Sequence, residues 1–230
     1  MSGLAVRSRE PERMDAADLD PATYAAVLRD LAQVNRVTLS GRPTLSFLRR
    51  AVKGRRLKLL DVGFGYGDML RRIARWAESC GIAAELVGVD LNPHSAEVAR
   101  AATPSAMPIR YVTGDYAELA GEGFDIVLSS FVAHHMSHTE LIAFLRFMEA
   151  EAAAGWLVND LHRHRFAYHG YPVLAAAMRW HPIVRHDGKL SIARAFRPAE
   201  WRALLARAEV ADAARVVRRF PFRLCVERLR

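Results

Sequence analysis

The stretch that most restricts the fold is Leu59-Leu60-Asp61-Val62-Gly63-Phe64-Gly65-Tyr66-Gly67-Asp68. A short apolar run meets three alternating glycines, and a helical pattern starts at once behind them. Glycines at such a junction let the backbone turn sharply and leave no Cβ between the main chain and a ligand. An apolar run stopped this way predicts a parallel strand buried on both faces. The junction departs from both common phosphate-binding loops. No Gly-Lys-Ser/Thr follows, which excludes a P-loop. The third glycine of G-x-G-x-x-G would fall at position 68, which is an aspartate. With Asp61 ahead of the first glycine, two carboxylates flank the turn, an arrangement that suits a cationic ligand better than a pyrophosphate.

The same texture recurs along the chain. LKLLDV (57–62), AELVGVD (84–90), IRYVTG (109–114), FDIVLSS (124–130) and GWLVND (155–160) read as five strands. Helical patterns separate them, at Asp68 to about Ser79, from Pro93 onward, and from Thr139 to Ala153. Strands alternating with such helices predict βαβ units: an α/β, Rossmann-like, mostly parallel sheet with helices on both faces. Residues 198–230 add a helix (Ala199 to Ala208) and then a period-two pattern at Phe220, Phe222, Leu224 and Val226, which predicts a terminal antiparallel hairpin and a seven-stranded sheet. Ahead of the core, Tyr24, Val27, Leu28, Leu31 and Val34 have helical spacing after Asp20-Pro21, and a shorter helix runs from Pro43 to Val52. One domain over 1–230 is expected: an N-terminal helical cover (14–53), a core (55–160), a helical lid (161–197), and the final helix and hairpin. Residues 1–13 are expected to form a loose tail.

Composition narrows the class. Half of the 230 residues are hydrophobic and a quarter charged, which excludes disorder and collagen-like repeats. No apolar run nears the ~20 residues of a membrane span, and the N-terminus has no apolar signal region, so a cytoplasmic protein is expected. Cys80 and Cys225 cannot build a disulfide framework. The formal charge of +8 hints at nucleic acid, but the arginine pairs are scattered and no interleaved aromatics would stack bases.

LLDVGFGYGD resembles the first motif of the class I S-adenosylmethionine-dependent methyltransferases: a buried strand, an acid and G-x-G-x-G. The resemblance continues in order over residues 55–160. Asp90 closes the second strand where the family's acid meets the ribose hydroxyls, and Leu91 follows where an apolar residue packs on the adenine. Gly114-Asp115-Tyr116 matches the G-D motif, which implies that Asp115 reaches the adenine amino group. Phe124 to Ser130 and Gly155 to Val158 match the fourth- and fifth-strand motifs. The implied cofactor is S-adenosylmethionine, held by Asp61, Gly63, Gly65, Gly67, Asp68, Asp90, Leu91, Asp115, Tyr116 and Ser130. Its sulfonium, ammonium and ribose diol are natural partners for carboxylates.

Family acceptors bind beyond strands four and five, here Ser129–His138 and Asn159–His169, where six histidines cluster. His135 or His162 is expected as the general base, oriented by Asp160. His135-x-x-His138 with His162-x-His164 has no closed ligand set, so no metal is expected. Phe166, Tyr168, Tyr171, Trp180 and Phe196 are candidate lid walls for a flat apolar acceptor, although aromatics there also serve to pack a lid on a sheet. NDLHRHRFAY and VRHDGKLSIARAF resemble methyltransferases of the quinone, phenol and polyketide branch. Ser-Ser-Phe-Val after strand four lacks the Asn/Asp-Pro-Pro-Tyr of base-nitrogen methyltransferases. The expected activity is methyl transfer to a small, aromatic or polyketide-type acceptor at a hydroxyl oxygen, with no membrane span and a homodimer allowed. The alternatives are an RNA methyltransferase and a non-catalytic module that binds S-adenosylmethionine.

Overall fold

The computed structural model describes residues 4–230. Seven strands form one sheet: β1 (Arg56–Val62), β2 (Ala83–Asp90), β3 (Ile109–Thr113), β4 (Phe124–Ser130), β5 (Ala152–Leu161), β6 (Arg215–Arg219) and β7 (Arg223–Leu229). Their spatial order is β3-β2-β1-β4-β5-β7-β6. The first five are parallel, while β7 runs antiparallel to both β5 and β6. Strand order reverses between β1 and β4, the position at which open α/β sheets present their ligand crevice.

Both faces of the sheet are buried, and the pleat sorts side chains between them. Leu59, Leu86, Ile126, Leu128 and Leu157 pack toward α2 (Gly41–Ala51), α3 (Asp68–Ser79) and α4 (Ser95–Ala101). Leu60, Val87, Val127, Trp156 and Val158 pack the other way, on α5 (His138–Glu151) and α8 (Pro198–Arg207). This is why the central strands read as unbroken apolar runs rather than alternating ones. α5 opens with a capping box between Ser137 and Glu140 and ends two residues earlier than its periodicity suggests, because β5 already begins at Ala152.

A third, smaller cluster lies off the sheet. α1 (Pro21–Val37), α6 (Arg165–Ala177) and α7 (Pro182–Arg194) bring together Val27, Ala175, Trp180 and Val184. Asp20 caps α1 by accepting from the Thr23 amide. The helical lid is therefore held by α1 as well as by the sheet.

The expected loose tail is not loose over its described part. The Arg7 guanidinium donates to the carbonyls of Arg194 (2.5 Å), His134 (2.7 Å) and Met136 (2.9 Å). The amides of Arg13 and Met14 donate to the two oxygens of the buried Asp187, at 3.1 and 2.9 Å. Hydrogen bonds to residues 127 to 187 positions away have no signature in a local pattern, so composition alone reads this strap as free chain.

Candidate functional site

The C-terminal ends of β1, β2 and β4, α1 and the lid enclose one cleft of about 700 Å³. Its floor is the glycine turn. Gly63, Gly65 and Gly67 all have positive φ, at 75°, 51° and 71°, which L side chains rarely adopt. A Cβ on Gly63 would also collide with Val132. The Gly63 amide donates to the Val89 carbonyl (2.8 Å), tying the turn to β2.

Three carboxylates converge on this floor. Asp61 is fully buried, and one of its oxygens, Oδ1, has no hydrogen-bond partner. Burial, with Asp68 and Asp90 close by, pushes its carboxyl up to about 8. Asp68 is raised chiefly by burial and receives a long hydrogen bond from Asn35 of α1 (3.5 Å). Asp90 is also raised by burial, although it accepts the amides of Gly65 and Asn92, both at 2.9 Å. An unpartnered, buried carboxylate oxygen beside two further acids is costly in an apolar wall unless a cationic or hydrogen-bond-donating ligand meets it. The residues fit a ligand carrying an ammonium, a sulfonium and a diol.

Of the remaining predicted cofactor residues, Ser130, Tyr116 and Leu91 line the cleft, whereas Asp115 does not. Tyr116 packs on Phe144 and Phe147 at ring separations of 4.9 and 4.8 Å. Leu91 is 75% exposed, free to cover a flat ligand. Asp115 is exposed and spends one oxygen capping the short helix 116–119 through the Ala117 amide (2.9 Å).

The acceptor side rearranges the predicted catalytic set. Asp160 is buried and faces His134, with Oδ1 2.7 Å from Nδ1, and not His135 or His162. Burial would raise Asp160, but the His134 ring, the Leu161 amide and His135 together hold the carboxyl below its usual range. His135 is half-buried and pairs with Asp15 of the strap (Nδ1 to Oδ2, 3.0 Å). His162 does not line the cleft; it lies beside His164, and burial pushes it down to about 4. His138 packs on Phe196 instead of turning inward. Of the candidate lid walls, Phe166 and Tyr171 line the cleft, whereas Trp180 and Phe196 are core residues.

Two contributors escape sequence reasoning. Glu12, 4% exposed, receives the Ser191 hydroxyl (3.0 Å) and is pushed up to about 7 by burial. Asp187 anchors the strap from α7. The only signal for the strap is its run of acids, Glu10, Glu12 and Asp15, in an otherwise arginine-rich tail.

A family described as "Methyltransferase domain" matches residues 59–153. The ubiquinone biosynthesis O-methyltransferase of Brucella ovis is 30% identical over 161 residues, 67% of this chain and 60% of that protein. The chain thus spans less than two thirds of the length of that curated relative. The magnesium protoporphyrin IX methyltransferase of Synechocystis, with bound SAH, superposes at a TM-score of 0.59 and 16% identity, covering 95% of this chain and 91% of the other. Human N-acetylserotonin methyltransferase, in complex with SAM, gives 0.64 and 14%, covering 92% and 56%. At such identities the structural likeness speaks for the fold.

Proposed function

We propose that the chain is a class I methyltransferase, as the "Methyltransferase domain" match over residues 59–153 and the Brucella relative support, and that it transfers a methyl group from S-adenosylmethionine to a small aromatic or polyketide-type acceptor at a hydroxyl oxygen. The observation that carries this reading is the unpartnered oxygen of buried Asp61 beside Asp68 and Asp90, over a turn whose three glycines all have positive φ. Asp61 and Asp68 would hold the cationic end of the cofactor and Asp90 its ribose hydroxyls, with Leu91 and Tyr116 flanking the adenine. When bound, S-adenosylmethionine supplies a methyl carbon already activated by a sulfonium, so displacement leaves a neutral thioether.

The chain's own residues then need to position an acceptor, exclude water and receive a proton. α1 and the lid cover the cleft with Val27, Leu28, Leu31, Phe166, Leu174 and Ile183, walls suited to a flat apolar molecule. The acceptor hydroxyl faces the corner made by His134, His135 and Glu12, which takes its proton as the oxygen–carbon bond forms. Asp160 and Asp15 fix the orientation of the two rings. His162, outside the cleft, is set aside as the base. Relatives act in ubiquinone biosynthesis by name, which supports a phenolic acceptor over RNA. We place the reaction in the cytoplasm; among the described residues no helix is long and apolar enough to cross a membrane.

A thermal-shift titration with S-adenosylmethionine, S-adenosylhomocysteine and NAD tests the cofactor. At 100 times Kd, binding contributes ~2.7 kcal/mol, so a chain of this size gains roughly 5–10 °C. The expected result is a shift with the two sulfur compounds that falls to half or less in Asp90→Ala. A shift with NAD alone would refute the reading.

A further inference from the structure

His134 and His135 share an orientation that proton acceptance by one ring does not require. Each ring presents Nδ1 to a carboxylate, Asp160 at 2.7 Å and Asp15 at 3.0 Å. Each therefore turns Nε2 toward the same third carboxylate, Glu12, at 3.6 Å for His134 and 3.8 Å for His135. Both separations exceed a hydrogen bond, yet the three ligand atoms lie within 4.8 Å of one another. With each Nδ1–H donated to its carboxylate, two imidazole lone pairs and a carboxylate face one another across a gap. The ring centroids are 4.4 Å apart. A histidine whose Nδ1–H is fixed by a carboxylate while Nε2 stays bare is the arrangement seen around protein-bound metal ions.

We propose that Glu12, His134 and His135 bind a divalent transition-metal ion of the zinc class, leaving at least one position open toward the cleft. Two imidazoles and one carboxylate favour such an ion over magnesium or calcium, which take oxygen ligands. All three residues line the cleft. The neighbouring charges are mixed. Arg194 lies 3.7 Å from Glu12 and Ser191 donates to the same oxygen, leaving Oε2 as the one facing His135. Arg7 is engaged by backbone carbonyls, including that of His134. Against these, Glu12, Asp15 and Asp160 supply three carboxylates. The inference rests on the methyl-transfer reading only for its use: an ion here would bind the acceptor oxygen as its oxyanion, with the proton released to solvent through the open cleft, in place of direct proton acceptance by the side chains that hold the ion. The site's existence does not depend on that reading.

The test strips the full chain with a chelator, then measures Zn²⁺ by equilibrium dialysis and Co²⁺ by its visible ligand-field spectrum, with S-adenosylhomocysteine titrated into the same samples. One ion per chain is expected, with a Co²⁺ spectrum that Zn²⁺ abolishes. Asp160→Asn should weaken binding about 10–100-fold, and Glu12→Gln and His135→Gln should weaken it further. His135→Gln alters a half-exposed side chain, so it serves if Glu12→Gln does not fold. S-adenosylhomocysteine affinity should be the same in all of them. Absence of Zn²⁺ binding by folded wild type overturns the metal site and leaves methyl transfer standing. So does equal Zn²⁺ affinity in wild type and both ligand variants, which would put the ion elsewhere, for example at His162 and His164. Ion binding without any S-adenosylhomocysteine binding would instead sink the cofactor reading alone.

Discussion

The two halves of the cleft are built in opposite ways. The half proposed to hold the cofactor is written in ten consecutive residues, 59–68, plus the ends of β2 and β4, and its geometry is backbone geometry. The half proposed to hold the acceptor is assembled from the strap (7–15), the turn after β4 (131–136), the end of β5 and α7, residues up to about 190 positions apart. A site specified locally can be read from a pattern and changed one residue at a time. A site specified by long-range contacts depends on every segment being docked together.

The largest expected effect exploits that contrast. Six hydrogen bonds join residues 7–14 to the lid, from Arg7, Ser8, Arg13, Met14, and at Glu10 and Glu12. At roughly 0.5 kcal/mol each they contribute about 3 kcal/mol. Deleting residues 1–15 should therefore raise amide exchange in α7 about 100-fold while leaving β1 and β4 protected, as hydrogen-exchange mass spectrometry would show. Equal loosening of the sheet would erase the division. Next, Asp90→Ala should weaken S-adenosylhomocysteine binding roughly 10–100-fold, the worth of a charge-assisted hydrogen bond, with no change in lid exchange.

Gly63→Ala comes third. It forces an alanine to φ 75° and into Val132, so a loss of ~1–3 kcal/mol in chemical denaturation is expected. An unchanged midpoint would mean that the turn relaxes freely and is less rigid than the contrast requires. The smallest effect is at His162. Its imidazole is pushed down to about 4 by burial, against an ordinary ~6.5 in the unfolded chain. Between those values the unfolded chain holds more protons, so stability falls as pH drops through the window and is unaffected above it. His162→Gln should flatten that acid arm; an identical pH profile would show that the ring is not buried as described.

Legibility followed the same division. The strands of the sheet and the glycine turn were readable because strand burial and glycine conformations are local consequences of residue type. Asp61 and Asp68 could be placed together because they flank one glycine turn, and Asp90 joined them through the family resemblance at the end of the second strand. The pairing of Asp160 with His134 was within reach, since β4 and β5 are neighbours with Ser130 opposite Asn159, but which histidine it meets depends on the turn at Phe131, a non-glycine residue at φ 62°. Glu12 and Asp15 left only the trace of an acidic run in an arginine-rich tail, and Asp187 left none. Their roles arise from a strap without periodicity docking on a helix near the other end of the chain.

The central claim is that cofactor binding belongs to the glycine turn and its carboxylates, separately from the strap and lid. Calorimetric titration of S-adenosylhomocysteine into the full chain and into the chain lacking residues 1–15 tests it most directly. The account predicts Kd values within about threefold of each other, a difference below ~0.7 kcal/mol. Loss of binding on removal of the strap would contradict it and make the cleft a single, indivisible site.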